Sequence, residues 1–360
     1  MRNLILFIVT VVITLLFFDV FLKGVKITPP ILKYYQSEYG SLNRPNINYF
    51  KSTQGLYIGK TNYDGRFRES YPKRKRDKKT LRILLVGDSF VEGIDVFSRD
   101  HFAQYMEDTL RKVLNTDVEI LNFGRGNCIL HASSYYFINY LEKEYDADLV
   151  LYFTEFRDIL PVASYPSTSY KLDEAGTNLV ADFSWQKSAE YSLHRKLSSI
   201  PLLKYYEDIA VCRLGYRAWS GIQTRGFLQL TLGKFYGTMA TPDYTYSKYD
   251  VPVSELSKKI YDSVMTYNKG QVVFVVRNLP VDATVVKEYF QEKHYPFIDL
   301  NEALDKEIIR GTNVNAYYFK ATQSYGGHWN HAGHKSIGYF LARKVSDHIK
   351  EYNTPNYSHE

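Results

Sequence analysis

Short apolar runs alternate with amphipathic stretches along most of the chain beyond residue 80. Five runs are rich in branched or aromatic residues, as expected of strands buried on both faces of a sheet. They lie at residues 82–86, 118–121, 148–153, 271–276 and 297–300. This regular alternation of strand and helix predicts an α/β fold, specifically a three-layer α/β/α sandwich around a central parallel sheet.

The predicted helices lie between and after these strands. Their apolar residues recur every three or four positions, which is typical of one helix face. The clearest sets are Phe102, Met106, Leu110 and Val113, then Leu256, Ile260 and Val264, then Val286, Tyr289 and Phe290, and finally Ile337, Leu341 and Val345, with a further helix at 131–145. Asp100 stands where the first of these helices would be capped.

The N-terminus carries a longer apolar segment. Leu4 to Phe18 are apolar apart from threonine, and the run continues to Leu22. About twenty such residues span a bilayer as a helix. No small-residue cleavage site follows, so residues 1–26 are predicted to form an uncleaved membrane anchor rather than a signal peptide. Arg2 and Lys23 flank the run on both sides, so the positive-inside rule gives no orientation.

The pattern also suggests domain boundaries. Residues 27–81 are mostly polar and are interpreted as a stem or linker, and residues 82–350 as the main domain with a tail at 351–360. Alternation lapses at about 160–250, which we interpret as a mixed insertion. Within it, Tyr170–Leu172 and Asn178–Val180 flank a turn and predict a hairpin, and a weakly periodic helical stretch follows at 187–208.

Composition narrows the class of protein. The 360 residues include 33 tyrosines and carry a net charge of +6, much of it in the basic run at 73–79. Tyrosine suits sugar-binding clefts and wet interfaces, although a tyrosine-rich source would give the same count. The basic run is interpreted as a solvated surface segment, because no nucleic-acid-binding motif accompanies it. The two cysteines, Cys128 and Cys212, provide neither a disulfide framework nor a metal motif.

Three loops could carry chemistry, because ligands of parallel α/β sheets bind at the carboxyl ends of the strands. Ser89 follows the first strand, where it could present its hydroxyl to the cleft or merely cap a helix. Two glycines, Gly124 and Gly126, follow the second strand and allow close backbone approach. His328 precedes the last helix and could act as a general base. His331 and His334 follow at metal-ligand spacing, but the loop offers no carboxylate or cysteine, so neither a metal nor a cofactor is predicted.

Taken in order, these loops resemble the motif blocks of the SGNH, or GDSL-like, hydrolase superfamily. The blocks are GDSF at 87–90, NFGRGN at 122–127 and GHWNHAGH at 327–334. The resemblance covers roughly residues 81–350 and is weak across the insertion. Residues 57–62 in the stem also resemble the lead-in of exported, membrane-anchored bacterial members. The resemblance implies the flavodoxin-like SGNH fold.

The resemblance also implies roles for individual residues. Ser89 would be the nucleophile and His328 its base. Donors to the oxyanion would be the Ser89 N–H, an N–H of the loop containing Gly124, Gly126 and Asn127, and an asparagine of the third block. The corresponding stretch here has Arg157 in place of that asparagine, and its guanidinium could still donate.

A second departure concerns the acid that orients the histidine. Members of this type usually carry an aspartate two residues before the histidine, where this chain has Gly326. A Ser–His dyad, a backbone carbonyl, or a distant carboxylate such as Asp158 are the alternatives that the sequence leaves open.

The leading hypothesis is a serine esterase or acyltransferase that acts on O-acyl groups of a cell-envelope carbohydrate, or on another small ester. We expect it to be anchored by its N-terminal helix, with the catalytic domain on the extracytoplasmic side and no nucleic acid as partner. The alternative is a catalytically degenerate domain that binds a glycan or a partner protein. A lipase acting on phospholipid near the bilayer is a third reading. The sequence does not indicate an oligomeric state.

Overall fold

Most of the predicted elements are present in the computed structural model, which describes residues 2–25, 32–51, 57–68, 71–75, 77–126, 128, 130–155, 167–200, 209–215, 253–267, 271–277, 284–319 and 324–353. Its strands are β1 (Lys33–Gln36), β2 (Gly40–Asn43), β3 (Asn48–Lys51), β4 (Tyr57–Lys60), β5 (Leu81–Gly87), β6 (Val118–Gly124), β7 (Leu149–Glu155), β8 (Ser169–Leu172), β9 (Leu179–Asp182), β10 (Val272–Arg277), β11 (Phe297–Asp299), β12 (Asn315–Phe319) and β13 (Ser324–Trp329). Its helices are α1 (Arg2–Gly24), α2 (Ser89–Glu92), α3 (Phe102–Leu114), α4 (Leu130–Tyr136), α5 (Glu142–Glu144), α6 (Ala189–Ser199), α7 (Glu255–Thr266), α8 (Thr284–Glu292), α9 (Asn301–Ile309) and α10 (His331–Asn353), with a π-helical turn at Phe137–Leu141.

The central sheet has five parallel strands in the order β11-β10-β7-β5-β6. Each corresponds to one of the five apolar runs, so the predicted parallel sheet is confirmed. The strand order reverses next to β5, the first of these strands, which lies between β6 and β7. Crevices for ligands form at such switch points, at the carboxyl ends of the strands. The loop that carries Ser89 leaves the sheet at this point.

Helices cover both faces of the sheet, which confirms the three-layer architecture. One buried cluster combines β-strand residues such as Leu84 and Val150 with α4, α7 and α8. The other combines Ile83 and Leu151 with α3 and α10. Alternate residues of one strand therefore enter opposite cores, as the period of two along a strand requires.

Two details of the predicted α3 are wrong. Val113 was expected on its apolar face, but 52% of its surface is exposed, in the last turn of the helix. Asp100 was expected as its cap. The observed cap is His101, whose Nδ1 accepts from the Ala103 N–H at 3.1 Å, while Asp100 ends a short 3₁₀ turn.

The segment predicted as a linker is folded against the main domain over much of its length. β1 and β2 form one antiparallel hairpin and β3 and β4 another. Tyr39, Tyr49 and Phe67 are buried. Arg68 pairs at 2.9 Å with Glu107 of α3. Contacts therefore cross the boundary predicted near residue 82, and the stem contributes its own aromatic residues to them.

The basic run is held at the surface by acidic residues around the end of α5. Lys73, Arg74 and Lys75 lie 2.8, 2.5 and 2.7 Å from carboxylate oxygens of Glu144, Asp146 and Asp148. Such pairs near the surface contribute little to stability, because water and salt screen their attraction. Much of the positive charge that stood out in the sequence is thereby neutralised locally.

Helix α1 is long and apolar enough to cross a membrane, with a mean hydropathy of 2.9 over its best window, and its apolar side chains face outward. A signal sequence would share these properties. Asp19 near its end pairs with Lys23 and accepts a hydrogen bond from the Ala210 N–H in the insertion. The predicted hairpin in the insertion is confirmed by the antiparallel pair β8–β9. Of the helical stretch expected at 187–208, α6 occupies 189–199, and residues 201–208 lie outside the described ranges.

Candidate active site

Ser89 begins α2 immediately beyond the carboxyl end of β5. The cap of this short helix is Asp88, whose Oδ1 accepts from the Phe90 N–H at 2.9 Å. Ser89 therefore does not cap the helix itself, and its hydroxyl is available for another contact. Its Oγ lies 2.8 Å from Nε2 of His328. The structure thus brings together the two residues that the sequence proposed as nucleophile and base.

His328 lies on β13, the second strand of a hairpin directly before α10. Its ring centroid is 4.7 Å from that of Phe90, and the adjacent Trp329 is buried against the same phenylalanine at 4.9 Å. These aromatic contacts restrict the rotation of the imidazole. Since the side chain is still 20% exposed, the ring borders the cleft rather than the core.

Asp95 supplies a carboxylate to the other side of the imidazole. Its Oδ2 lies 3.1 Å from His328 Nδ1, and its side chain is only 3% exposed. This residue was not among those predicted from the sequence. The sequence does contain a signal for it, namely the glycine four residues after Ser89. Gly93 ends α2 in the left-handed conformation, with φ of 62°, and such a helix end turns the chain sharply back toward the site. Asp158, the carboxylate considered from the sequence, lies outside the described residues.

The turn that carries Asp95 rests on a buried histidine. His101 Nε2 lies 3.0 Å from the Val91 carbonyl, while Asn122 Nδ2 donates to the same oxygen at 2.8 Å. Burial lowers the pKa of His101 to about 3, so the ring is neutral at physiological pH. Because its Nδ1 accepts from the helix α3 backbone, its Nε2 carries the proton and donates to Val91.

The other two histidines of the C-terminal motif do not join the site. His334 is buried and its Nδ1 accepts from the Phe102 N–H at 3.2 Å. Burial, together with the nearby His101, holds its pKa well below the usual value. His331 is exposed and lies 3.2 Å from the Tyr105 hydroxyl. Over the described ranges, no three His, Cys, Asp or Glu side chains converge as metal ligands would.

The candidate oxyanion donors differ in availability. The Ser89 N–H lies at the start of a helix, where the first N–H groups lack intrahelical acceptors. The Gly124 N–H donates to Asn122 Oδ1 at 2.9 Å, and the Gly126 N–H donates to the Glu92 carboxylate. Both glycine N–H groups are therefore engaged within the protein in this arrangement. Asn127 and Arg157 lie outside the described residues.

Gly124 is required for a steric reason that is separate from any role as an oxyanion donor. A Cβ at this position would lie 2.1 Å from the Glu92 nitrogen and 2.4 Å from the Val91 carbonyl carbon. Helix α2 therefore packs directly on the backbone of β6, and this contact sets the height of Ser89 above the sheet.

Glu92 at the far end of α2 connects this helix to the stem. Its carboxylate accepts from Lys33 at 2.7 Å and from Asn43 Nδ2 at 3.0 Å. Burial alone would raise the pKa of Glu92, but the Lys33 charge and the hydrogen bonds outweigh it and hold the pKa below its ordinary value. The carboxylate is therefore ionised and fixes β1 and β2 to the helix that carries Ser89.

Arg277, at the end of β10, is a further buried charge beside the site. It pairs with Asp88 and, at 2.7 Å, with Glu155 at the end of β7. Its guanidinium also lies 3.9 Å above the Phe90 ring. Nothing in the sequence indicates this role, because an arginine that ends an apolar strand is expected at the surface. Arg277 links three loops at the carboxyl edge of the sheet.

Comparison with known proteins gives distant structural matches only. No family model matches the sequence, and no curated protein matches it. A lipolytic protein of the G-D-S-L family from Veillonella parvula aligns with 13% identity and a TM-score of 0.33 over 74% of this chain and 98% of that one. A lipase/acylhydrolase from Enterococcus faecalis aligns with 12% identity and a TM-score of 0.34 over 74% and 96%.

An acetylxylan esterase from Geobacillus stearothermophilus aligns with 11% identity and a TM-score of 0.36 over 75% of this chain and 96% of that one. Likenesses this distant do not indicate a substrate. The chain resembles the SGNH and G-D-S-L hydrolases by the order of its three motifs and by the positions of Ser89 and His328 at the edge of its parallel sheet.

Proposed function

We propose that this protein is a serine hydrolase acting on ester bonds, with Ser89, His328 and Asp95 as its catalytic triad. The observation that supports the proposal is the continuous chain of contacts among them, 2.8 Å from Ser89 Oγ to His328 Nε2 and 3.1 Å from His328 Nδ1 to Asp95. Nucleophile, base and orienting acid at hydrogen-bond distance are what acyl transfer to a serine requires.

The roles follow from the hydrogen bonds. Asp95 accepts from Nδ1–H of His328, so Nε2 is left to accept the Ser89 proton. Ser89 Oγ attacks the acyl carbonyl carbon as its proton moves to Nε2, and Asp95 stabilises the imidazolium that forms. The C–O bond to the alcohol then breaks, and His328 returns the proton to the leaving oxygen. Water, or a sugar hydroxyl, attacks the acyl-enzyme by the same steps in reverse. The Ser89 N–H is the donor that we assign to the oxyanion.

We further propose that the natural ester is an O-acyl group of a cell-envelope carbohydrate and that α1 anchors the protein with this domain on the extracytoplasmic side. These assignments rest on the resemblance to anchored, exported SGNH proteins and on the length and apolar surface of α1. The glycan-binding alternative without turnover is less well supported, because a degenerate site has no need to hold Ser89 and His328 at hydrogen-bond distance.

The test is hydrolysis of p-nitrophenyl acetate by the full-length protein in detergent. We expect Ser89→Ala to lower kcat/KM by at least about 10³-fold, as loss of the nucleophile does in triad enzymes. Ser199→Ala, which removes an exposed hydroxyl at the end of α6, is the matched control and should retain activity. A serine-reactive phosphonate should label the wild type but not Ser89→Ala. Equal rates for wild type and Ser89→Ala, with no label at Ser89, would contradict the proposal.

A further inference from the structure

A second concave site lies between the stem and the end of β6. This cavity has a volume of about 190 Å³, and neither Ser89 nor His328 lines it. Its walls are rich in tyrosine, namely Tyr34, Tyr39, Tyr63, Tyr136 and Tyr140. Drug-sized ligands occupy about 300–1,000 Å³, so this cavity is limited to a ligand of roughly one small ring. Aromatic walls with hydroxyl groups suit a sugar ring, which has both apolar and polar edges.

A buried positive charge, Arg125, lines the cavity at the end of β6. Its guanidinium lies 4.3 Å above the ring of Tyr136. One nitrogen, Nη2, donates to Cys128 Sγ and to the Ala132 carbonyl at 3.0 and 3.1 Å. The other, Nη1, has no hydrogen-bond partner among the described residues, although the side chain is only 5% exposed.

Arg125 also lacks a counter-ion in the part of the chain that the structure describes. Burial raises the pKa of the Cys128 thiol, so this group is neutral and does not compensate the charge. A buried cation without an anionic partner is unfavourable. An anionic group on a bound ligand would supply both the missing charge and the acceptor for Nη1.

The stem side of the cavity contributes a polar atom of the opposite kind. Asn43 donates through Nδ2 to Glu92 at 3.0 Å, and because a carboxylate only accepts, this contact fixes the orientation of the amide. Its Oδ1 is buried and has no partner within the described ranges. Asp64 and Arg66 also line the cavity, but they pair with each other at 3.2 Å. The groups left for a ligand therefore include a charged donor from β6 and a neutral acceptor from the stem, which suits a ligand with one anionic group and free hydroxyls.

We propose that this cavity binds an acidic sugar unit, a uronic acid, with its carboxylate on Arg125 and a hydroxyl donating to Asn43. The site would select acidic carbohydrate chains as ligands and is separate from the catalytic triad. Binding here does not require turnover at Ser89, so this proposal and the proposed esterase activity succeed or fail independently.

The test is isothermal titration of the full-length protein in detergent with sodium D-glucuronate, D-glucose and inorganic phosphate. We expect glucuronate to bind at least about tenfold more tightly than glucose, because a charge-assisted bond to buried Arg125 is lost without the carboxylate. It should also bind at least about tenfold more tightly than phosphate, which cannot use the tyrosine walls. Glucose binding as well as glucuronate, or phosphate doing so, would overturn the proposal. This comparison uses the wild type alone.

Two variants locate the site. Arg125→Gln should weaken glucuronate binding by at least about tenfold, while Arg74→Gln, which removes an exposed arginine paired with Asp146, should leave it unchanged. Asn43→Ala keeps the guanidinium and should weaken binding severalfold, which provides a second measurement if Arg125→Gln fails to fold. Ser89→Ala should bind as the wild type does. Unchanged glucuronate binding in folded Arg125→Gln or in Asn43→Ala would place any bound sugar elsewhere and overturn the proposal.

Discussion

Asp95 lies 3.1 Å from His328 although the two residues come from opposite ends of the main domain. The carboxylate belongs to the turn after α2, the helix that begins with Ser89, so the proposed nucleophile and the proposed acid share one short segment. The base comes from a hairpin at the far end of the chain. Packing of α10 on α3 brings this hairpin to the segment, so the proposed triad forms only when the two ends of the main domain pack together.

Replacing this acid should impair catalysis more than binding. We expect Asp95→Asn to lower kcat for p-nitrophenyl acetate by about 10²–10⁴-fold with little change in KM, because the amide stabilises neither the productive imidazole tautomer nor the imidazolium. The control is Asp100→Asn, whose carboxylate lies 3.6 Å from the exposed His331. If Asp95→Asn and Asp100→Asn retain equal activity, Asp95 is not the acid.

The contact between α2 and Gly124 predicts a steric effect. Gly124→Ala places a methyl group 2.1 Å from the Glu92 nitrogen, so α2 has to move. Overpacking of this kind costs about 1–3 kcal/mol, and we expect a lower Tm together with a lower kcat. Gly215→Ala is the matched control, since nothing lies within 4 Å of its added Cβ. A Gly124→Ala protein with unchanged Tm and kcat would contradict this packing.

The ion pair between the stem and α2 predicts a loss of stability. Lys33→Met leaves the buried carboxylate of Glu92 without its cation, and we expect the free energy of unfolding to fall by about 1–3 kcal/mol. This is less than for a fully buried pair, because the Lys33 side chain is 30% exposed. Lys73→Met breaks an exposed pair with Glu144 and should lower the free energy of unfolding much less, because water and salt screen that pair. Chemical denaturation of the full-length variants measures both, and equal losses would argue against a structural role for the stem contact.

The neutral His101 predicts a pH dependence of stability. Its folded pKa of about 3 lies below the ordinary value of 6.5, so between these values the unfolded state binds a proton that the folded state does not. Stability is therefore lost as pH falls below about 6.5, by roughly 2 kcal/mol from His101 between pH 7 and pH 5.

Comparison with His101→Asn isolates this contribution. Asparagine can still cap α3 but does not titrate, so the variant should be less stable at pH 7 yet lose less stability on going to pH 5. The free energy of unfolding at both pH values provides the measurement. Identical pH slopes for wild type and variant would show that His101 does not stay neutral in the folded protein.

The strands and helices that were predicted correctly are those with a clear periodicity of apolar residues within the element itself. The strand at 82–86 and the helix with Ile337, Leu341 and Val345 have enough apolar residues in period to be recognised alone. The four-residue strands β1 to β4 have too few apolar residues to be recognised in this way, because their stability comes from tertiary contacts of Tyr39 and Tyr49. Hairpins this short are marginal in isolation.

The residues of the candidate site also differ in whether a local sequence pattern identifies them. Ser89 and His328 were found because they lie in recognisable blocks at fixed places around the sheet. Asp95 and Arg277 were missed because their partners lie far away in sequence. Gly93, the glycine that ends α2, is a local signal for the turn that carries Asp95, but no such pattern accompanies Arg277. The glycines at 124 and 126 were noticed correctly as sites of close approach, but their N–H groups already have acceptors within the protein.

The packed stem also changes how far the active site can be from the bilayer. A free linker over residues 27–81 could extend well over 100 Å at about 3.3–3.6 Å per residue. Because β1 begins at Lys33 and is tied to Glu92, only the few residues between α1 and β1 can act as a tether, with a maximum reach of roughly 25–30 Å. With α1 in a membrane, Ser89 would work within a layer about one domain thick at the bilayer surface, and its substrate would have to be presented there.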